Sequence, residues 1–166
     1  MSVHHDVFDL QDRLAKIEAA SEPLPTVRFE TLLPDVPAPS RAHSADAGWD
    51  LRAAEPVVVP SGAIRLVPTG VRVDLPEGTY GMICSRSGLV AKHGLAVANA
   101  PGIIDSGYAG EILVSLINHG SAAYRVAPGD RVAQIVFGRV DLVNVVGGAT
   151  LEPDSRGDGG HGSSGR

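Results

Sequence analysis

Turn punctuation constrains this chain more than any other feature. Pro-Ser-Gly at 60–62, Pro-Glu-Gly at 76–78 and Pro-Gly-Asp at 128–130 cut the apolar segments into short runs. Proline presets φ and glycine reaches conformations other residues avoid, so each triplet can turn the chain within a few residues. Between such turns lie Val57–Val59, Ala63–Asp74, Thr79–Cys84, Leu95–Ala98, Ile112–Asn118, Tyr124–Val126 and Arg131–Val146, each read as a strand. Ahead of them Val27, Phe29 and Thr31 alternate with Arg28 and Glu30, as in a half-buried strand. Short strands at regular spacing predict an all-β jelly roll, sandwich or barrel rather than a helical bundle. With 20 Gly and 12 Pro in 166 residues, composition agrees, and the length suits one domain with a real core.

The two ends read differently from the middle. Residues 6–20, DVFDLQDRLAKIEAA, place Val7, Leu10, Leu14 and Ile17 at heptad spacing with charges between them. That predicts a short amphipathic helix with Asp6 as N-cap. So short a helix is marginal alone and needs a surface to pack on. Docking on its own domain and serving as a partner-binding arm both remain open. Ser21-Glu22-Pro23-Leu24-Pro25 then stops the helix and favours extended chain. The expected division is 1–25 as an N-terminal extension, 26–154 as the β domain and 155–166 as a C-terminal arm. From Arg156 to Arg166 the arm has no core-forming residue and reads as a flexible Gly/Ser tail. The same backbone N–H groups, with Arg156, Ser163, Ser164 and the His161 ring, are also parts that wrap phosphates and stack on a base.

Charge and cysteine content narrow the function classes. A net charge of −5 argues against stable nucleic-acid binding. The single cysteine, Cys84, excludes an intrachain disulfide framework and a cysteine-rich zinc site. No apolar run reaches the roughly 18 residues of a membrane span, and the N-terminus lacks a signal-peptide pattern. The expectation is a cytoplasmic protein without a membrane partner.

The chemistry concentrates in Gly94–Glu111, GLAVANAPGIIDSGYAGE, which reads as a strand–turn–strand hairpin ending in Asp105 and Tyr108. Asp50 follows a Gly-Trp pair, Arg86 and Ser87 follow an apolar strand, and Gln134 sits inside another. Two acids, two arginines, hydroxyls and Gly-rich backbone are the parts for holding a nucleoside polyphosphate with a divalent cation. Each aspartate also reads as an ordinary turn cap, and Gln134 needs only some hydrogen-bond partner.

Taken together, AGWDL (47–51), SRSGLVAKHG (85–94), NAPGIIDSGYAGEI (99–112), GDRVAQIVF (129–137) and RGDGGHGSSG (156–165) resemble the five ordered motifs of the homotrimeric dUTPases. The version carrying His161 resembles the actinobacterial or actinobacteriophage branch. The resemblance covers nearly everything from about Val27 onward and leaves the N-terminal helix outside. It implies a jelly-roll-like β barrel that trimerises, with sites at the subunit interfaces, hydrolysing dUTP to dUMP and pyrophosphate.

On that resemblance, Asp105 is the base that activates the attacking water, and Tyr108 packs under the deoxyribose. Asn99 with the backbone of the 99–104 turn, including Gly102 and Ile104, reads uracil. Arg86, Ser87, Gly88 and Gln134 contact the phosphates. Mg2+ is the implied cofactor, with no direct protein ligand: the phosphates hold it and Asp50 reaches it through water. In the arm, His161 stacks on uracil while Arg156, Gly162, Ser163 and Ser164 close on the phosphate chain.

Three positions depart from the family pattern. Ser85 stands where Pro is usual, which predicts a less rigid loop; Trp49 replaces a smaller or phenolic residue; Ala109 stands where Arg is common. Two other readings stay in view. One is a relative of the dCTP deaminase type, which shares the fold. The other is a dUTPase-fold regulatory protein that binds a protein partner through helix 6–20.

Overall fold

The computed structural model describes residues 24–141 and 143–148. The expected helix at 6–20 and the arm at 155–166, with Arg156, His161, Gly162, Ser163 and Ser164, lie outside the described residues. The described chain is built from strands β1 (Arg28–Thr31), β2 (Gly48–Arg52), β3 (Val57–Val59), β4 (Ile64–Pro68), β5 (Val71–Asp74) and β6 (Thr79–Cys84). Helix α1 (Ser87–His93) follows, then β7 (Leu95–Val97), β8 (Gly102–Asp105), β9 (Leu113–Asn118), β10 (Tyr124–Val126) and β11 (Arg131–Arg139).

All named pairings are antiparallel and form four small sheets, in the orders β1-β5, β10-β3, β2-β11-β6-β8 and β4-β9-β7. They wrap one core in a jelly-roll-type arrangement. Among the described residues they do not close into a continuous hydrogen-bonded barrel. Alternation produces the core: β6 reads buried–half-buried along Thr79–Cys84, and β9 buries Val114, Leu116 and Asn118. Leu51, Val59, Val67 and Ile135 are fully buried among them.

Asn118 is the polar exception, and its amide is saturated. Nδ2 donates to the Val59 and Ala122 carbonyls at 2.9 and 2.8 Å, and Oδ1 accepts the Gly120 N–H at 2.9 Å. A buried amide satisfied in this way fixes the end of β9 against β3 at little cost.

Four expectations need correcting. The run 63–74 is two strands, because Thr69 turns inward to donate to the Ile112 carbonyl at 2.7 Å and Gly70 adopts φ +64. The run 131–146 pairs only as far as Arg139; beyond it Val143, Val145 and Val146 are 75%, 89% and 78% exposed. The SRSGLVAKHG stretch, read as a loop after a strand, contains α1. Gly94 caps it in the left-handed region at φ +68, and Lys92 and His93 complement its C-terminal end. The segment 94–111 is not a hairpin: β7 pairs with β9, whereas β8 pairs with β6. Its Asn-Ala-Pro-Gly turn carries the chain from one sheet to another, through a cis peptide bond before Pro101.

Candidate active site

The open face of the β2-β11-β6 sheet carries the first cluster. Gln134 on β11 lies opposite Asp50 on one side and Cys84 on the other. Strand pairing therefore sets Asp50 and Gln134 side by side on one face. Gly48 leaves room for this: a Cβ there would run into the Gln134 side chain. The Gln134 amide donates from Nε2 to the Ser85 carbonyl at 3.1 Å. Ser85 is held again on its other side, since its Oγ accepts the Val97 N–H at 2.8 Å. The expected loosening at Ser85 is thus met by a hydroxyl that ties the end of β6 to β7.

Asp50 is the electrostatic centre of the cluster. Its Oδ1 lies 3.0 Å from Arg86 Nε and its Oδ2 lies 3.2 Å from Arg131 Nη1. The carboxylate is 14% exposed and Arg86 24%, so the pair is only partly screened, whereas Arg131 is more open at 43%. Arg86 Nη1 also donates to the Arg131 carbonyl at 3.3 Å. These groups, with Ser87 and Gly88 from the first turn of α1, line a cavity of about 410 Å3. Asp46 lines the cavity as well, so two guanidinium groups stand there with two acidic residues.

Arg131 is the member that sequence reasoning missed. Regular alternation puts residues three apart on opposite faces of a strand. The β11–β2 register slips between Arg131 and Ala133, and Val132 and Ala133 are both buried. This bulge turns Arg131 onto the face of Gln134, and bulges beside functional sites commonly re-aim a side chain in this way. Two consecutive apolar residues inside GDRVAQ were the only signal in the sequence.

The remaining expected residues among those described lie outside this cavity. Asp105 ends β8, exposed, paired with Tyr80 of β6. Tyr108 follows a tight turn in which its N–H donates to the Asp105 carbonyl at 3.1 Å and Gly107 has φ +90. The Tyr108 hydroxyl donates to the Glu111 carbonyl at 2.9 Å, which lays the ring across Gly110. Tyr108 lines a separate cavity of about 440 Å3 beside β1 and β5. Asn99 folds over buried Gly102, where a Cβ would sit 3.1 Å from its Nδ2. Ile104 packs half-buried on the core, opposite Gly81.

The single chain thus brings Asp50, Arg86, Ser87, Gly88 and Gln134 together in one cavity, while Asp105 and Tyr108 stand together outside its lining. Among the described residues no group of three or more His, Cys, Asp or Glu assembles to hold a metal directly. The Asp50 carboxylate in a polar cavity suits a Mg2+ ion that keeps its waters and takes phosphate oxygens as ligands.

Comparison with known proteins bears on this arrangement. The family model described as dUTPase matches residues 35–165. A deoxyuridine 5'-triphosphate nucleotidohydrolase of Nocardia farcinica is 50% identical over 148 residues, covering 89% of this chain and 88% of the relative. Among solved structures, the Staphylococcus bacteriophage 80alpha dUTPase with dUpNHpp superposes with a TM-score of 0.78 at 28% identity, over 85% of this chain and 99% of that one. A mutant dUTPase from phage phi11 of S. aureus, described for its coordination of a structural Mg(II) ion, superposes with a TM-score of 0.70 at 26% identity, over 76% and 99%.

Proposed function

This chain belongs to the dUTPase family, and on that premise we propose that it hydrolyses dUTP to dUMP and pyrophosphate. It is a dUTP diphosphatase, which limits uracil incorporation into DNA and supplies dUMP for thymidylate synthesis. The observation that carries the reading is the cavity in which Arg86, Arg131 and Gln134 gather around Asp50, in a chain matching the family over 35–165. Two guanidiniums and an amide are suited to a triphosphate, because charge-assisted bonds to phosphate oxygens are strong and directional.

In this reading Asp105 orients a water against the α-phosphorus and takes its proton. The new bond forms from that water oxygen, the bond to the α–β bridging oxygen breaks, and pyrophosphate leaves. A positioned carboxylate contributes on the order of 10² to 10⁴ in rate. Arg86 and Gln134, with Ser87 and Gly88, hold the phosphate chain, and Arg131 joins them. The Asn99–Ile104 turn reads the uracil edge, and Tyr108 packs under a sugar that lacks the 2′-OH. Asp50 would hold Mg2+ through water, and the bound ion would supply neutralisation of charge on the triphosphate. The arm closes over the site, with His161 on the base and Arg156, Gly162, Ser163 and Ser164 on the phosphates.

A homotrimer is part of the same proposal. Its support is the separation of Asp105 and Tyr108 from the cavity around Asp50, which a second subunit would bridge. Further support comes from the outer face of β4 and β9, where Ile64, Leu66 and Leu113 stand 50%, 60% and 46% exposed. Apolar residues contiguous on one sheet face mark an interaction surface. Cytoplasmic residence follows from the nucleotide substrate, and no stable nucleic-acid or membrane partner is proposed. Among the described residues no helix is long and apolar enough to cross a membrane.

Pyrophosphate release tested against all the deoxynucleoside triphosphates with Mg2+ checks the reading. Turnover of dUTP alone is expected; ammonia release from dCTP would overturn it in favour of a deaminase. Asp105→Asn is expected to bind dUTP while losing nearly all turnover, and retained turnover would remove Asp105 from the role of base.

A further inference from the structure

Trp49 and Asp50 are neighbours in β2, so their side chains point to opposite faces. Asp50 faces the polar cavity, whereas Trp49 faces an apolar groove of about 490 Å3. The groove is floored by half-buried rings: Phe29 lies 6.2 Å from Trp49 and 6.0 Å from Phe137, centre to centre. Pro25 and Val27 line it, as does Arg139. The Arg41 guanidinium sits 4.6 Å over the Trp49 ring. Three aromatic rings open to one groove leave a sizeable hydrophobic surface without a cover among the described residues.

We propose that this groove is the seat of the chain's own residues 6–20, docked as an amphipathic helix. Chain connectivity carries the argument first. The described structure begins at Leu24, and Pro25 already lines the groove. Ala20 lies five residues before Pro25, a tether of at most about 17 Å when fully extended. The C-terminal end of the segment is therefore held close to this groove.

Its chemistry matches what the groove offers. Val7, Leu10, Leu14 and Ile17 make one apolar stripe along a helix about 22 Å long, which is marginal in water without a surface to cover. Asp6, Asp9, Asp12 and Glu18 outnumber Arg13 and Lys16 on the segment; Arg139 lines the groove, and Arg41 stacks on Trp49, one of its lining rings. The inference concerns packing on the face opposite the cavity and does not depend on the catalytic reading.

The test uses Trp49 itself, the only tryptophan of the chain. Leu10→Asp/Leu14→Asp in the full-length protein is expected to red-shift Trp49 emission and raise its quenching by acrylamide, with dUTP turnover retained. Unchanged emission and quenching would overturn the proposal. A second variant separates self-docking from exchange between copies. Leu14→Cys/Thr26→Cys in a Cys84→Ser background, treated with a short bismaleimide, is expected to run at monomer mass on a denaturing gel. A dimer band would place the segment in another copy's groove, and absence of any cross-link would remove it from the groove; either result overturns the proposal.

Discussion

Asp50 shows how a residue that reads as a turn cap becomes a charge centre. It is gripped by Arg86 and Arg131 from two different elements, at 3.0 and 3.2 Å. A carboxylate held this way also orients both guanidiniums before a phosphate arrives, which reduces what must be ordered on binding. Gly48 serves the same cluster by absence. A methyl group there has no space beside Gln134. Gly48→Ala is expected to displace the amide and lower kcat/KM on the order of 10², the cost of losing one positioned donor. Circular dichroism should show an intact β fold, so unaltered kinetics would mean that Gln134 is not needed on the phosphates.

At the scale of elements, the β11 bulge and the β1–β5 pair carry the most information. The bulge puts Arg131 and Gln134 on one face and lets Val132 and Ala133 both enter the core. The β1–β5 ribbon is closed on its outer side by Glu30 and Arg72, directly opposite one another and joined by two hydrogen bonds of 2.8 Å. The Arg72 hydrogen bond holds the Glu30 carboxyl below its ordinary value of 4.5. A lowered carboxylate stabilises the fold above its unfolded value, and that contribution fades as pH falls through the folded value. NMR titration is expected to find Glu30 titrating below an ordinary glutamate, and Arg72→Gln to bring it back. An ordinary Glu30 in the parent protein would show that the pair does not persist in solution.

At the scale of the whole molecule, the proposed trimer joins two sets of groups that one chain keeps apart. Asp105 and Tyr108 stand apart from the cavity that holds Asp50, and an apolar sheet face lies open on β4 and β9. Leu66→Asp on that face is expected to shift the protein from trimer to monomer in light scattering and to abolish turnover with it. A monomer that hydrolyses dUTP at the parent rate would remove the interface from the site. Deleting residues 156–166 is expected to leave the oligomer intact while severely reducing turnover, since a closing arm excludes water and completes the phosphate grip. Parent-like kinetics would make the arm dispensable.

The fold class was legible because strand length and turn chemistry are local properties. Pro-Ser-Gly, Pro-Glu-Gly and Pro-Gly-Asp end strands wherever the chain goes next, and Val57–Val59, Thr79–Cys84 and Tyr124–Val126 begin and end as read. The chemical groups Asp50, Arg86, Ser87, Gly88 and Gln134 were legible because the family motifs carry them, and the chain brings them into one cavity. Pairing was not legible, because any strand edge can bond to any other and the choice depends on residues far away in sequence. Thus 94–111 looked like a hairpin, yet the core needs Leu95 and Val97 in one sheet and Gly102 in another. Helix α1, at seven residues, is too short to show a periodic stripe, though Gly94 and its basic last turn marked its end. Arg131 was hidden by a register slip that alternation does not reveal. Sequence alone determined the parts and the class of fold; tertiary structure decided which parts meet, because register and bulges follow from burying the core as a whole.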